Sequence, residues 1–175
     1  MKKLNFGILG TGWIANEMAD TLARSGDANL YAVASRETAR AKAFAARYGI
    51  RKAYGSDAEL LADPDVDVVY VASPHSRHAE QMLACLDAGK HILCEKAFTV
   101  TAKQAREVLA RAREKKRVVA EAIWPRYMPM AKTIRDFCAS DRIGRVYAVY
   151  CNLGYPVAGV PRLREPELAG GALLD

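Results

Sequence analysis

The chain has 175 residues, 51% of them hydrophobic and 26% charged, an ordinary balance for a globular protein with room for one full domain and part of another. The formal net charge of +6 raises nucleic acid as a partner. However, Lys and Arg are interleaved with Glu and Asp, and the densest run, Arg111 to Arg117, falls at an expected helix C-terminus, where cations suit the dipole. No aromatic residues interleave with that run as a single-strand binder requires, so no nucleic-acid partner is expected. No segment is long enough to span a membrane. Met1-Lys2-Lys3 before apolar residues has the outline of a signal peptide, but Asn5, Gly7 and Gly10 break the stretch and no convincing cleavage site follows. Cys85, Cys94, Cys138 and Cys151 are far apart and show no zinc spacing. They read as buried, reduced thiols of a cytoplasmic protein.

In chain order, Lys3 to Leu9 is an apolar-rich strand, followed at once by Gly10-Thr11-Gly12-Trp13-Ile14-Ala15. A helix opens there, with Ile14, Met18 and Leu22 beside Ala15, Ala19 and Ala23 at three- and four-residue spacings, and runs to about Arg24. Strand, Gly-x-Gly-x-x-Ala and helix form a dinucleotide-binding unit. Gly10 allows the tight turn, Gly12 lets the backbone approach a pyrophosphate, and Ala15 lets the helix lie close to the strand. The free N–H groups and dipole at the helix start then favour phosphate.

Leu30 to Ala34 is the second strand. An enzyme that prefers NAD carries an acidic residue at its end, to bond the ribose hydroxyls. Here Ser35 stands there, followed by Arg36, whose guanidinium suits a 2′-phosphate. The sequence therefore favours NADP, with NAD second. In the alternative, Arg36 is a loop cation and Glu37 holds the ribose. Thr38 to Tyr48 is a helix closed by Gly49, and Arg51 to Tyr54 is a third strand. Ser56-Asp57-Ala58-Glu59 is a capping box that opens a short helix. Val66 to Ala72 is a continuous apolar strand of the kind a parallel sheet covers on both faces. Ser73-Pro74-His75-Ser76-Arg77-His78 follows as a loop at its carboxyl end, where a doubly wound sheet binds its ligand. The two histidines fit metal ligation only loosely, so no metal is assigned. Helix capping and cofactor packing are the better readings. A helix over 79–88 leads to strand His91 to Glu95 and then Lys96. Thr101-Ala102-Lys103-Gln104 is a second capping box, for a helix to about Glu114, and Arg117 to Ile123 is the sixth strand.

This pattern predicts an α/β protein: a Rossmann doubly wound parallel sheet over residues 1–123, then the start of a second α+β domain over 124–175. In that second part, a crossing segment (Trp124 to Pro129) leads to a helix from about Met130 to Ala139. A strand, Arg145 to Cys151, and a Pro- and Gly-rich loop over 155–166 complete it.

The motifs together resemble the Gfo/Idh/MocA family of oxidoreductases. Within it they are most similar to the branch of dimeric dihydrodiol dehydrogenases and NADP-dependent xylose dehydrogenases. The resemblance rests on Gly10 to Ala15, Ala34-Ser35-Arg36, Ala72 to His78, Cys94-Glu95-Lys96, Glu121 to Tyr127 and Gly170 to Asp175, in family order from end to end. It implies an oxidoreductase moving hydride between nicotinamide and a sugar, polyol or diol. Lys96 corresponds to the active-site lysine, an ammonium able to bond the reacting hydroxyl or carbonyl. Asp175 matches the first member of a catalytic pair spaced four apart, on one face of a helix. Gly10, Thr11, Gly12, Trp13, Ile14, Ser35, Arg36, Ser73, Pro74, His75, His78, Glu95 and Lys96 fall at the cofactor. Trp124 and Arg126 fall at the substrate pocket, and a homo-oligomer is implied. Two positions depart from the pattern. Ala97 stands where the family has proline, often after a cis peptide, and a cis bond before alanine is costly. The partner four residues past Asp175 is absent, so little or no turnover is expected of this chain by itself. The alternative to an enzyme is a non-catalytic NADP-binding module or sensor.

Overall fold

A computed structural model describes residues 3–152, 154 and 159–171. Its centre is a six-stranded sheet, with every strand pair parallel. The strands are β1 (Leu4–Leu9), β2 (Ala28–Ala34), β3 (Lys52–Tyr54), β4 (Val68–Val71), β5 (His91–Cys94) and β6 (Val119–Glu121). Their order across the sheet is β3-β2-β1-β4-β5-β6, the Rossmann order that reverses beside β1 and opens a crevice at the strands' carboxyl ends.

The helices are α1 (Trp13–Arg24), α2 (Thr38–Tyr48), α3 (Asp57–Leu61), α4 (His75–Asp87), α5 (Ala102–Lys115) and α6 (Pro129–Ala139). Alternation along the strands divides the core between two faces. Ile8, Val33 and Tyr70 pack with Ala15 and Ala19 of α1 and with Ala41 and Phe44 of α2. Their neighbours Leu9, Ala32, Ala34, Val69 and Val71 pack with Leu60 of α3, Met82 and Leu86 of α4 and Val108 of α5. Both faces are covered, which explains the fully buried Val68–Val71 and the near-continuous apolar run seen there. Ala15 and Ala19 have no exposed surface. Small side chains at this seam let α1 lie close on the sheet.

The helix ends follow the capping chemistry. Gly49 closes α2 at φ 65°. Thr101 and Gln104 form a complete reciprocal box at the start of α5. The box at α3 is half made. Ser56 accepts from the Glu59 N–H, but Glu59 reaches the Gly55 N–H at 3.0 Å instead of that of Ser56.

Four expectations are corrected. α4 begins at His75, four residues before the expected Ala79, because Pro74 at its N-cap has extended angles (φ −59°, ψ 145°) and frees the residues after it to turn. β2 begins at Ala28, since Leu4 and Asn5 of β1 pair with Ala28 and Asn29. Arg145 to Cys151 forms no strand. A strand needs a hydrogen-bonding neighbour, and none of the described segments pairs with it, so Tyr147, Val149 and Tyr150 stand exposed. Of the four free cysteines, only Cys85 and Cys94 are buried; Cys138 and Cys151 are exposed. Burial pushes the Cys85 thiol up to about 12. Among the described residues, no helix is long and apolar enough to cross a membrane.

Candidate nucleotide-binding site

At the carboxyl ends of β1, β4 and β5 the chain leaves the sheet in three turns, and these enclose a cavity of about 330 Å³. Gly12, Trp13 and Ile14 line it from the first turn and α1. Ala72, Ser73, Pro74 and His75 line it from the second, and Glu95 and Lys96 from the third. Leu168, in a short 3-10 turn (Pro166–Leu168), covers one side.

The two glycines have different jobs. Gly10 sits at φ 106°, where an added Cβ would lie 3.0 Å from the Ala72 carbonyl oxygen. Gly12 has an ordinary φ of −75° and caps α1 with no side-chain bond, and a Cβ there would meet nothing within 4 Å. The first N–H groups of α1 therefore face open space, no acidic residue stands in the first turn, and the helix dipole adds positive potential. This arrangement fits a pyrophosphate. Thr11 lies between the two glycines and is partly buried.

A second cleft, of about 480 Å³, lies beside the ends of β1 and β3. Arg36 lines it, with Gly55, Ser56, Asp57 and Arg77. Ser35 is held at the end of β2 by its N–H on the Tyr54 carbonyl, at 3.2 Å. Glu37, the alternative ribose partner, instead pairs with Arg40 at 3.0 Å. Asp57 and Glu80 are the acids that line this cleft, and Asp57 is held by its neighbours. Its carboxylate accepts from Gln81 Nε2 at 2.6 Å and from Arg77 at 3.2 Å. Gln81 in turn accepts from the Ser73 hydroxyl, so one polar chain links the two clefts.

The Lys96–Ala97 peptide is cis. Glu95 and Lys96 face the first cavity, and the Lys96 N–H donates to the Glu95 carboxylate at 3.2 Å. Tyr70, 1% exposed on β4, donates its hydroxyl to the other Glu95 oxygen. Burial, and then this bond, holds the phenol well above the usual tyrosine range.

His75 lines the cavity and meets the His78 ring edge-on at 5.6 Å. His78 does not line it. It is fully buried, with Nδ1 2.8 Å from the Ala97 carbonyl oxygen and Nε2 2.9 Å from that of Ser73. Both oxygens are acceptors, so the tautomer of the ring sets which of them it donates to. Among the described residues, no group of three or more His, Cys, Asp or Glu is placed to hold a metal ion.

Trp124 and Arg126 lie in a 3-10 turn (Trp124–Tyr127) after β6. Both are exposed, and neither lines the cavity that contains Lys96. Asp175, with the rest of 172–175, lies outside the described residues. Sequence reasoning missed Leu168, Asp57 and Gln81 as site-forming residues. The α3 capping box marked where Asp57 would sit, but no periodic signal marked Leu168.

The comparisons agree with this geometry. A family described as oxidoreductases with an NAD-binding Rossmann fold matches residues 4–123, more than half of the chain. The trans-1,2-dihydrobenzene-1,2-diol dehydrogenase of Xenopus laevis is 42% identical over 172 residues, covering 97% of this chain and 52% of that protein. The D-xylose 1-dehydrogenase (NADP(+)) of Hypocrea jecorina is 41% identical over 194 residues, covering 98% and 50%. The crystal structure of KijD10, a 3-ketoreductase from Actinomadura kijaniata in complex with NADP, superposes with a TM-score of 0.73 at 34% identity, covering 78% of this chain and 44% of that one. The chain thus spans about half the length of these relatives. With its sheet order, its glycine turn and the match over 4–123, the chain belongs to the Gfo/Idh/MocA family of oxidoreductases.

Proposed function

We propose that this chain forms the nucleotide-binding part of an NADP-dependent dehydrogenase acting on a CH–OH or carbonyl group of a sugar, polyol or diol. One observation carries the reading: a single cavity runs from the open N-terminus of α1 at Gly12 to Glu95 and Lys96. Arg36, lining the neighbouring cleft, stands where a 2′-phosphate belongs. The relatives named for a diol and for xylose with NADP support the substrate and cofactor classes.

When bound, the nicotinamide supplies or accepts the hydride. The chain's own residues do the rest. The α1 N–H groups hold the pyrophosphate. Ser73, Pro74 and His75 wall the nicotinamide end. The Lys96 ammonium bonds the reacting oxygen and steadies its proton as the C–H bond breaks or forms. By family resemblance Asp175 is the first member of the catalytic pair. Residues 124–175 begin the substrate and oligomer-forming domain, and the protein is a homo-oligomer of the cytoplasm, a compartment that suits its four free cysteines.

The test is a fluorescence titration of the chain with NADPH and with NADH, repeated on Arg36→Ala. NADPH is expected to bind at least about tenfold more tightly, with most of that margin lost in the variant; one charge-assisted phosphate contact is worth that much. Preference for NADH refutes the cofactor assignment, and binding of neither refutes the site.

A further inference from the structure

We propose that Tyr70, His78 and Glu121 are positioning residues: without entering the cleft, they hold the corner that carries Glu95 and Lys96. The inference rests on the nucleotide site proposed above. β5 ends at Cys94, and the segment 95–98 that follows has no strand or helix structure. Its last ladder-like bond is from the Glu95 N–H to the Val71 carbonyl, at 3.0 Å. Beyond it, three side chains from three other elements take over. From β4, the Tyr70 hydroxyl fixes the Glu95 carboxylate, whose second oxygen accepts the Lys96 N–H. From α4, His78 Nδ1 meets the Ala97 carbonyl at 2.8 Å. From β6, a Glu121 carboxylate oxygen accepts the Phe98 N–H at 2.7 Å.

None of the three lines the cavity. Tyr70 and His78 are 1% and 0% exposed, so their positions are set by the core and not by the ligand. The corner is thereby referenced to rigid elements, as a site that must hold a reacting group within a fraction of an ångström requires. His78 also spans the cleft from behind. Its second nitrogen lies 2.9 Å from the Ser73 carbonyl oxygen, so one buried ring sits against both the Ser73 wall and the Lys96 wall. Distances alone set these roles apart from packing: each contact ends on the backbone or carboxylate of residues 95–98, and the nicotinamide end of the ligand must pass between the two walls.

The test compares two ligands on the whole chain. NADPH reaches the Lys96 corner. Adenosine 2′,5′-bisphosphate carries only the adenosine half and stays near Arg36. Tyr70→Phe, His78→Gln and Glu121→Leu each remove one or more tethers, and Glu121→Gln keeps an acceptor oxygen at that post. Each of the first three should weaken NADPH about five- to tenfold, while the bisphosphate stays within about twofold. Glu121→Gln should stay within about twofold for both ligands. Equal weakening of both ligands shows a general structural role and overturns the proposal. Unchanged NADPH affinity in Tyr70→Phe and His78→Gln overturns it too. Failure of the wild-type chain to bind NADPH is a different result: it removes the nucleotide site itself, and this proposal with it.

Discussion

The two motif glycines should fail in opposite ways when replaced. At Gly10, φ is 106° and an added Cβ would lie 3.0 Å from the Ala72 carbonyl oxygen and 3.3 Å from its carbon. Holding an L residue in such a conformation costs about 1–3 kcal/mol, and the contact with rigid backbone adds to that. We therefore expect Gly10→Ala to lose about 2–4 kcal/mol, which for a chain of this size lowers the melting temperature by roughly 5–15 °C. At Gly12, φ is −75°, ψ is −175° and the space ahead is empty. Gly12→Val should therefore fold with a stability change within about 1 kcal/mol. Its branched side chain would, however, occupy the approach to the α1 N–H groups. NADPH affinity should fall at least about tenfold, or about 1.4 kcal/mol. Thermal unfolding followed by circular dichroism, together with an NADPH titration of both variants, checks the pair. The reasoning is refuted if Gly10→Ala melts within about 1 °C of wild type, or if Gly12→Val binds NADPH unchanged.

Three more outcomes can be measured on the same chain. Leu86 has no exposed surface in the cluster beneath α4, so Leu86→Ala should cost about 2–5 kcal/mol in denaturant unfolding; a loss below about 1 kcal/mol would mean that the site collapses freely. Asp63 is buried, and burial alone would raise its carboxyl, but bonds from Tyr54 at 2.7 Å, the Asp65 N–H at 3.0 Å and Lys52 at 3.0 Å outweigh it and hold the group below its usual value of 3.8. A depressed folded value adds stability that is complete above the ordinary one and drains away as pH falls through the folded one. Asp63→Asn should therefore flatten the acid limb of the stability curve and cost about 1–3 kcal/mol at neutral pH; parallel curves for the two proteins would contradict this. Thr101→Ala breaks the complete box at α5 and should cost about 1 kcal/mol, read as a small drop in melting temperature without loss of NADPH binding.

Much of the site was legible because its signals are local. A glycine at φ 106° beside a strand, a small residue at position 15 and a helix start with no acidic first turn are all consequences of neighbouring residues. The missing acid at the end of the second strand pointed to Ser35 and Arg36, and the resemblance added Lys96 by its place in the chain. Harder to see were contacts made across the sheet. Tyr70 and Glu95 are 25 residues apart, His78 and Ala97 are 19, and Gln81 and Asp57 are 24. No spacing rule connects such pairs. His78 shows the limit well: the motif put it with the cofactor, but the turn of α4 that begins at His75 points it behind the wall.

What the sequence by itself determined is the alternation of strands and helices, the six-stranded parallel sheet and the place of the glycine turn. Periodicity, caps and breakers are properties of short stretches, and the connection rules leave few ways to assemble them. Only the tertiary structure decided which side chains meet at the carboxyl ends of the strands, and that Arg145 to Cys151 pairs with no strand among the described residues. It also decided that Asp57 is already engaged by Arg77 and Gln81 and that the Lys96 corner leans on three distant residues. These depend on distances between elements, which are set when both faces of the sheet are packed and not before.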